Sequence, residues 1–403
     1  MSDTVLLFPE LEKDLRELRS TGVFPSQMIQ ELIESERVRA LSGGVEGAIL
    51  PAQIQPASLD LRLGSEAYRV RASFLPGKSS TVQEKLRGLQ MTRISLAENH
   101  GAVFEKHCTY IVPLMEELSL PDTVSGKSNP KSTTGRLDVF TRLITDYGTE
   151  FERVPPGYRG KLYVEVVPRT FSIQVREQIR LNQLRFVRGN PLPLREDFTL
   201  SKLHEQQPLA YGPDETPAES PRLISIDLQG SEDLPIVGYK AKSHAPLVDL
   251  SMINHYDPEE FWEPIHSTSR IILNPGDFYI LVSKEKVSVP LNLAGVMTAY
   301  DPSLGEFRIH YAGFFDPGFG YGLEQGKGTR AVLEVRSHEV PFVIEDGQGV
   351  GRLVYERLMA VPDKIYGPRI GSSYQSQGLS LSKQFKRPNL ASDARSALRE
   401  ASQ

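Results

Sequence analysis

A segment that combines hydroxyl, small and cationic side chains is the first place where this sequence could do chemistry. Residues 125–136 read SGKSNPKSTTGR, and the segment ends in Lys131, Ser132, Thr133, Thr134, Gly135 and Arg136. Backbone N–H groups beside small residues can approach phosphate oxygens, while Lys and Arg neutralise their charge. The Gly-x4-Gly-Lys-Ser/Thr order of a P-loop is absent. The composition fits a phosphate-binding loop, and it fits a solvated polar loop equally well.

A second candidate is a turn in which small residues stand among aromatic ones. Residues 310–320 read HYAGFFDPGFG, with Ala312 and Gly313 between Tyr311 and Phe314. Small side chains let a flat ring lie against the backbone and read its N–H and C=O groups. The alternative is an ordinary β-hairpin that binds nothing.

Two glutamates occupy corresponding places in a long internal repeat. Residues 108–121 (CTYIVPLMEELSLP) align with residues 277–290 (DFYILVSKEKVSVP), and the same offset of 169 places LYVEV (162–166) on AVLEV (331–335). A repeat of this length indicates a duplicated domain. The offset brings Glu165 onto Glu334. A carboxylate within a strand usually faces solvent, but its recurrence in both copies makes it a candidate for catalysis.

The C-terminal part of the chain holds a fourth candidate. Residues 372–387 read SSYQSQGLSLSKQFKR and include Tyr374, Gln377 and Lys383. Polar and aromatic side chains in a glycine-containing tail can close over a bound nucleotide as a lid. The alternative is a plain solvated tail.

Composition limits the function classes that remain open. The chain has 403 residues, of which 39% are hydrophobic and 24% charged, and its formal net charge of −5 argues against a general nucleic-acid coat. Its one cysteine, Cys108, excludes an intrachain disulfide and a cysteine-rich zinc site. The charged N-terminus is not a secretory signal, and no apolar run reaches the roughly 20 residues of a membrane helix. These features favour a cytoplasmic protein without a membrane partner.

The elements that must position these residues are mostly strands. Residues 8–40 show helical spacing, with Leu11, Leu15 and Leu18 on one face and Pro25 in the first turn of a further helix. Many short alternating segments follow, separated by Gly/Pro turns. We predict a mainly β chain of two tandem distorted β-barrel or jelly-roll domains with a few helices. A stretch rich in Pro, Glu, Gln and Ser sets the boundaries at 1–203, a linker at 204–222, and 223–403.

Together these segments resemble the dCTP deaminases of the dUTPase-like superfamily. KSTTGR (131–136) is similar to the family's R-S-S-x-A-R loop, and YAGFFDPGF (311–319) to its T-A-x-x-I-D-P-G-W hairpin. VLEV (332–335) and YVEV (163–166) resemble its catalytic strand V-L-E-F. SLDLRLG (58–64) and SYQSQGLSLS (373–382) resemble its early strand and its tail. Typical members are half this size and form trimers with sites between subunits, so this chain resembles a fused, two-copy type. The resemblance therefore implies dUTPase-like barrels and a homo-oligomer, as a trimer or a pseudo-trimeric assembly.

The two copies depart from the family pattern in opposite ways. The first copy keeps the Ser/Arg loop, but its hairpin EFERVPPGY (150–158) has Phe151 in place of Ala. The second copy keeps the hairpin, but its loop DPSLGEFR (301–308) retains Ser303 without a clear Arg. We therefore predict one composite site, made by Lys131, Ser132 and Arg136 with residues 312–316 and Glu334. The other pairing, of Ser303, Phe151 and Glu165, is expected to be degenerate or structural.

The resemblance implies deamination of dCTP to dUTP and ammonia without zinc. Glu334 would act as general base, Arg136 would keep the carboxylate ionised, and Ser132 and Ala312 would hold the water and the ammonia. Glu165 is the corresponding catalytic candidate of the first copy. The nucleotide-binding candidates are Lys131, Thr133, Thr134, Tyr311, Gly313, Asp316, Tyr374, Gln377 and Lys383; Asp316 is also read as structural for the hairpin. Magnesium would arrive on the triphosphate with few protein ligands.

Two other functions remain open at the level of sequence. A dUTP pyrophosphatase, or a bifunctional enzyme that forms dUMP, belongs to the same superfamily, although the tail SSYQSQGLS (372–380) lacks the Gly-rich pattern with Phe of the pyrophosphatases. A non-catalytic nucleotide-binding module is the second alternative, because duplication can release a copy from catalysis.

Overall fold

The computed structural model describes residues 21–42, 45–97, 101–191, 198–230, 235–299, 307–310, 313–323, 327–337, 339–367 and 378–387. Below, the first copy means the described residues up to 191, and the second copy means those from 198 onward. The predicted helix with Leu11, Leu15 and Leu18 lies outside the described residues.

Helices are few and short, as predicted. They are α1 (Ser26–Glu34), α2 (Val82–Leu89), α3 (Ser132–Gly135), α4 (Phe198–Gln206) and α5 (Pro258–Phe261), with one 3-10 turn at Pro51–Gln53. Helix α1 follows Pro25 and buries Ile29 and Leu32. Helix α2 begins with a capping box, since the Thr81 hydroxyl accepts from the Glu84 N–H (3.2 Å) and the Glu84 carboxylate from the Thr81 N–H (2.8 Å). Among the described residues, none of these helices has the length and apolar character needed to cross a membrane.

Strands make up most of the first copy. They are β1 (Gly22–Val23), β2 (Val38–Ser42), β3 (Val45–Gly47), β4 (Leu59–Leu61), β5 (Glu66–Val70), β6 (Gln90–Ser95), β7 (Ala102–Phe104), β8 (Thr109–Ser119), β9 (Val124–Pro130), β10 (Val139–Thr145), β11 (Arg153–Val154), β12 (Arg159–Pro168), β13 (Ile173–Val175) and β14 (Asn182–Arg188).

The second copy repeats this pattern. Its strands are β15 (Ala210–Tyr211), β16 (Leu223–Ser225), β17 (Ile236–Ala241), β18 (Val248–Asp249), β19 (Trp262–His266), β20 (Arg270–Leu273), β21 (Tyr279–Val287), β22 (Leu293–Ala299), β23 (Phe307–His310), β24 (Phe314–Phe315), β25 (Thr329–Ser337), β26 (Phe342–Glu345) and β27 (Gly349–Arg357). The prediction of a mainly β chain is confirmed.

Equivalent sheets form in the two copies with the same register. In the first copy the order β10-β12-β8-β2-β3 makes one sheet and β1-β14-β9-β11 the other. In the second, β23-β25-β21 and β24-β22-β27 repeat the pairing of β10-β12-β8 and β11-β9-β14. Strands β15 and β17 pair with β21 where β2 and β5 pair with β8, and β16 pairs with β27 where β4 pairs with β14. Glu165 pairs with Ile111 across β12 and β8, and Glu334 pairs with Ile280 across β25 and β21. The offset of 169 read from the sequence is thus a structural equivalence.

One hydrophobic cluster spans both copies, and a separate cluster fills the second copy. Phe171 of the first copy packs edge-on against Phe261 and Trp262 of the second, with ring centroids 5.7 and 5.3 Å apart. Strand β18 of the second copy pairs in parallel with β13 of the first. The contact between the copies is therefore both an apolar interface and a continuous sheet, and the site lies along it.

Residues 204–222, predicted as a linker, contain ordered elements. They hold the end of α4 and β15, which pairs with β21, and Leu209 is fully buried in the second copy's core. The division at 203 and 223 remains a prediction.

Candidate active site

A cavity of about 320 Å³ lies between the two copies and receives side chains from both. The first copy contributes polar residues from β4, from the loop around α3 and from the segment before β14: Asp60, Lys131, Ser132, Thr133, Arg136 and Arg180. The second contributes the hairpin and strand residues Gly313, Phe314, Asp316 and Glu334, with Gly378 and Lys383 from the tail. The loop around α3 in the first copy and the Glu334 carboxylate of the second copy thus line the same cavity.

The loop between β9 and β10 forms its own short helical turn. Lys131 precedes α3, its carbonyl accepts from the N–H groups of Thr134 (2.8 Å) and Gly135 (3.0 Å), and its own N–H donates to the Leu181 carbonyl (2.8 Å). These bonds direct Ser132 and Thr133 toward the cavity. Thr134 points elsewhere, since its hydroxyl is buried and donates to the Leu181 carbonyl at 2.8 Å. Thr134 lines an adjoining cavity with Lys131 and Lys383, and its role in binding a nucleotide stays a prediction.

Glu334 emerges from the centre of a sheet rather than from an edge. Its strand β25 is paired on both sides, with Ile280 of β21 and His310 of β23 at the register of Glu334. The side chain is almost fully buried. Burial raises the pKa of Glu334 to about 8, although the nearby charge of Arg136 acts to lower it. Arg136 thus favours the ionised carboxylate, as predicted from the sequence, but desolvation has the larger effect on the pKa.

The tail of the chain returns across the loop of the first copy. Arg136 donates through Nη1 to the Ser380 carbonyl at 2.9 Å, and the Ser382 hydroxyl donates to the Thr133 carbonyl at 3.0 Å. Lys383 lines the cavity, where burial first and the charge of Lys131 second lower its pKa. The described part of the tail thus covers one side of the site.

The hairpin around β24 forms the opposite wall. Gly295 and Val296 of β22 pair with Phe315 and Phe314, and the Met297 N–H donates to the Gly313 carbonyl at 3.2 Å. The turn that follows needs glycine at position 318, which has φ +95 and would place a Cβ atom 2.4 Å from Ile365.

Asp316 joins this wall to the first copy. Its Oδ1 lies 3.5 Å from Nη2 of the fully buried Arg185, whose guanidinium carbon is 3.9 Å from the Phe314 ring centroid. Burial raises the pKa of Asp316 to about 6, and Arg185 acts to lower it. Asp316 therefore lines the cavity and also fixes the hairpin.

Glu165 lies away from the cavity. Nε and Nη2 of Arg142 donate to its Oε1 at 3.0 and 2.6 Å, and the Arg142 guanidinium carbon sits 3.6 Å from the Phe151 ring centroid. Glu165 itself is fully buried. A catalytic role for Glu165 does not agree with this placement, because neighbouring side chains of its own copy fill the space beside it.

Two further glutamates of the repeated segments, Glu116 and Glu285, hold neighbouring strands together. The Glu116 carboxylate accepts hydrogen bonds from Nε and the backbone N–H of Arg62, both at 2.8 Å, and from Nε2 of Gln53 at 2.9 Å. Its counterpart Glu285 receives the N–H and hydroxyl of Ser225 at 2.7 and 2.6 Å. Both carboxylates are thus occupied with joining strands.

Asp60 and Arg180 are among the cavity residues that sequence reasoning missed. Asp60 forms ion pairs with Lys131 and, at 3.5 Å, with Arg180, which also donates to the Ala52 carbonyl at 2.8 Å. Asp60 belongs to the SLDLRL segment, whose polar position was a usable signal. Arg180 carries no comparable signal. Lys131, Arg180 and Lys383 thus place three cations at one end of the cavity.

Four predicted site residues cannot be placed. Tyr311, Ala312, Tyr374 and Gln377 lie outside the described residues, as does Ser303 of the degenerate pairing. Lys131, Ser132, Thr133, Arg136, Gly313, Asp316, Glu334 and Lys383 are brought together.

Both halves of the chain match known families. Residues 20–190 match the family described as the 2'-deoxycytidine 5'-triphosphate deaminase (DCD) N-terminal domain, and residues 196–385 match the DCD C-terminal domain.

Individual relatives agree with that match. The protein named "dCTP deaminase, dUMP-forming" of Halobacterium salinarum is 32% identical over 117 residues, which cover 28% of this chain and 55% of that protein. The dCTP deaminase of Natronomonas pharaonis is 25% identical over 185 residues, covering 45% of this chain and 89% of that one. The crystal structure of 2'-deoxycytidine 5'-triphosphate deaminase from Agrobacterium tumefaciens superposes with a TM-score of 0.78 at 48% identity, covering 84% of this chain and 99% of that chain.

Proposed function

The chain belongs to the dCTP deaminase family, and we propose that it hydrolyses dCTP to dUTP and ammonia in the cavity between its two copies. The observation that carries this proposal is the meeting of Glu334 from the second copy with Ser132 and Arg136 from the first in one buried cavity. Two other buried strand glutamates of the repeat, Glu116 and Glu165, are bonded to Arg62 and Arg142.

Glu334 would move the protons of the reaction. In its ionised form it takes a proton from water as the oxygen bonds to C4 of the cytosine. It gives that proton to ring N3, which leaves a tetrahedral C4 with a hydroxyl and an amine. It then takes the proton of the C4 hydroxyl and passes it to the amine, so that the C4 carbonyl forms, the C4–N bond breaks and ammonia leaves. A group whose pKa lies near the working pH can both accept and return a proton. Burial provides that value in Glu334.

The surrounding groups would orient this chemistry. Arg136 places a positive charge near Glu334 and is itself held by the Ser380 carbonyl. The Ser132 hydroxyl, which lines the cavity, would hold the attacking water, and the backbone from Gly313 to Asp316 would read the polar edge of the base. We retain the prediction that the small Ala312 leaves room for the water.

The triphosphate would lie at the cationic end of the cavity. Lys131, Arg180 and Lys383 neutralise its charge there, with Thr133 beside them. Among the described residues no three His, Cys, Asp or Glu side chains are grouped to hold a metal. Magnesium would arrive on the triphosphate with most of its ligands from phosphate and water, and when bound it would neutralise the triphosphate.

The proposal extends to the setting of the enzyme. We propose that it acts in the cytoplasm and that chains associate into a homo-oligomer. The completed cavity within one chain means that association is not needed to bring Glu334 and Arg136 together.

A product assay tests the function. Purified protein is incubated with dCTP, dCMP or CTP and magnesium, and ammonia, dUTP, dUMP and pyrophosphate are measured separately. We expect ammonia and dUTP in equal amounts from dCTP. Stoichiometric dUMP and pyrophosphate would identify the bifunctional reaction, whereas nucleotide binding without ammonia would overturn the proposal in favour of a binding module.

A further inference from the structure

We propose that the buried ion pair between Asp138 of the first copy and Arg336 of the second is a positioning device that sets the distance between Arg136 and Glu334. Neither side chain lines the cavity in the described part of the chain. The inference rests on the proposed function, because it assigns these two residues to the alignment of that same site.

The pair is buried and has several bonds. Arg336 donates through Nε to Asp138 Oδ2 at 3.0 Å and Oδ1 at 3.3 Å, and its Nη2 also reaches Oδ2. Thr170 donates to Asp138 Oδ2 at 2.5 Å and accepts from Arg336 Nη2 at 2.8 Å, while Arg336 Nη1 donates to the Gly276 carbonyl at 2.6 Å. Both ionised side chains are almost inaccessible to solvent. Charges so fully desolvated are stable only when paired and hydrogen-bonded.

Each partner lies two residues beyond a residue of the cavity. Arg336 follows Glu334 on β25, and residues i and i+2 of a strand project on the same face, so holding Arg336 fixes the strand at Glu334. Asp138 follows Arg136 at the end of the α3 loop. The ion pair therefore joins the two segments that carry Arg136 and Glu334, at a point two residues beyond each of them.

The backbone around Asp138 transmits this restraint to the loop. Its N–H donates to the Gly135 carbonyl at 2.8 Å, and its carbonyl accepts from the Arg169 N–H at 3.0 Å. Asp138 has φ +54, a left-handed conformation that costs free energy for a residue with a side chain. The bonds to Arg336 and Thr170 offset that cost and hold the end of the loop in one place.

Four charged residues at this interface have uncharged counterparts in the other copy. Val167 occupies the position in β12 that Arg336 has in β25. Likewise the interface residues Lys127, Arg185 and Glu356 correspond in register to Val296, Val354 and Val187. These four charged positions are thus each held by valine in the other copy, as expected of a device that serves one composite site.

The test compares D138N, R336Q and their double variant with R176Q. Arg176 also forms an ion pair between the copies, with Asp249 at 2.8 Å, but no cavity residue is adjacent to it. We expect D138N and R336Q to lower kcat for ammonia release by about 10- to 100-fold with a much smaller change in KM. The double variant should lose no more than either single variant, because both remove the same interaction. R176Q should keep kcat.

A second readout separates positioning from simple stability. Asp138 acts to raise the pKa of Glu334, so D138N should move the acidic limb of the pH profile of kcat/KM to lower pH. Removing a cation in R336Q should move it to higher pH. Equal kcat, KM and pH profile per folded molecule in all variants, with only a lowered Tm, would overturn the proposal.

Amide hydrogen exchange tests the restraint on the two segments even if the chain has no deaminase activity. If the wild-type chain releases no ammonia, the function fails but the restraint is still measurable. D138N should then speed amide exchange in residues 132–137 and 330–336, and R176Q should not. Unchanged exchange in these two segments would overturn the inference by itself.

Discussion

The two glutamates Glu165 and Glu334 occupy the same place in two equivalent sheets and have opposite surroundings. Glu165 is closed off by Arg142 from the neighbouring strand β10 and by Phe151, which lies on the guanidinium. Glu334 faces an open cavity and receives its cation, Arg136, from the other copy. A glutamate at the same position of equivalent strands thus holds its own sheet together in one copy and is a candidate general base in the other.

The difference shows that the source of the partner cation decides the role of the acid. An arginine of the same sheet can bond the carboxylate directly and leave no room for water. An arginine from across the interface is held instead by the Ser380 carbonyl, so that it supplies charge and leaves a space for substrate. Duplication made this specialisation available, because each copy had to keep only half of a site.

The largest expected effect separates the two acids. Glu334→Gln keeps the volume but cannot accept a proton, so kcat for ammonia release should fall by about 10²- to 10⁴-fold. Glu165→Gln should lower Tm and leave kcat per folded molecule within about twofold. Both are measured by initial rates normalised to the folded fraction. Loss of turnover in Glu165→Gln alone would reverse the comparison.

Substituting the arginine beside each glutamate should also have different effects, on stability for Arg142 and on activity for Arg136. Arg142→Met leaves Glu165 buried without its partner and should reduce the free energy of unfolding by about 3 kcal/mol. Arg136→Met removes the charge that lowers the pKa of Glu334, so it should shift the pH profile upward and lower kcat at pH 7. Denaturant titration and kinetics on both variants measure these effects. A stable Arg142→Met protein would show that Glu165 is not tightly braced.

The pH dependence should follow Glu334. Its pKa in the folded protein, about 8, is above the ordinary value of 4.5, so kcat/KM should rise as pH increases through 8 because the base must be ionised. The folded state binds the extra proton between these values, and the stability this provides is lost as pH rises from 4.5 through 8. Glu334→Gln lacks this proton, so its stability relative to the parent chain should increase over that window. Parallel urea titrations of both chains at pH 5 and pH 8.5 would detect the change, and an equal difference at both pH values would contradict it.

The smallest expected effect concerns the phosphate end. Arg180 has Gly349 at its equivalent register position in β27, so its charge is also confined to one copy. Arg180→Gln should raise KM for dCTP by roughly tenfold with little change in kcat, because it removes one charged contact. Lys284→Gln, which affects an ion pair with Asp346 away from the cavity, is the matched control. Equal KM values in the two variants would exclude Arg180 from phosphate binding.

Periodic features of the chain were predictable from sequence. Alternating apolar and polar residues predicted strands such as β8 and β21. The offset of 169 predicted that β12 on β8 and β25 on β21 pair in equivalent register. The composite pairing of the α3 loop with Glu334 also followed, because each copy visibly keeps a different part of the motif.

Other features depend on contacts that spacing does not encode. Arg142, Arg180 and Arg336 look alike in the sequence, yet they brace Glu165, flank Asp60 and pair with Asp138 respectively. Glu116 and Glu165 could not be separated from Glu334, since burial and the side chain opposite determine their roles. The linker prediction at 204–222 did not anticipate β15, because a two-residue strand has too few residues to show alternation.

The parallel pairing of β18 with β13 has a consequence for dissecting the molecule. The first copy does not finish its own sheet, since the Val248 and Leu250 N–H groups donate to carbonyls of Ser172 and Gln174 at 3.1 Å. Expressed alone, that half would present an unprotected strand edge and uncovered aromatic surface, which promotes aggregation. Sequence duplication here has produced halves that are recognisable as modules but are not separable ones.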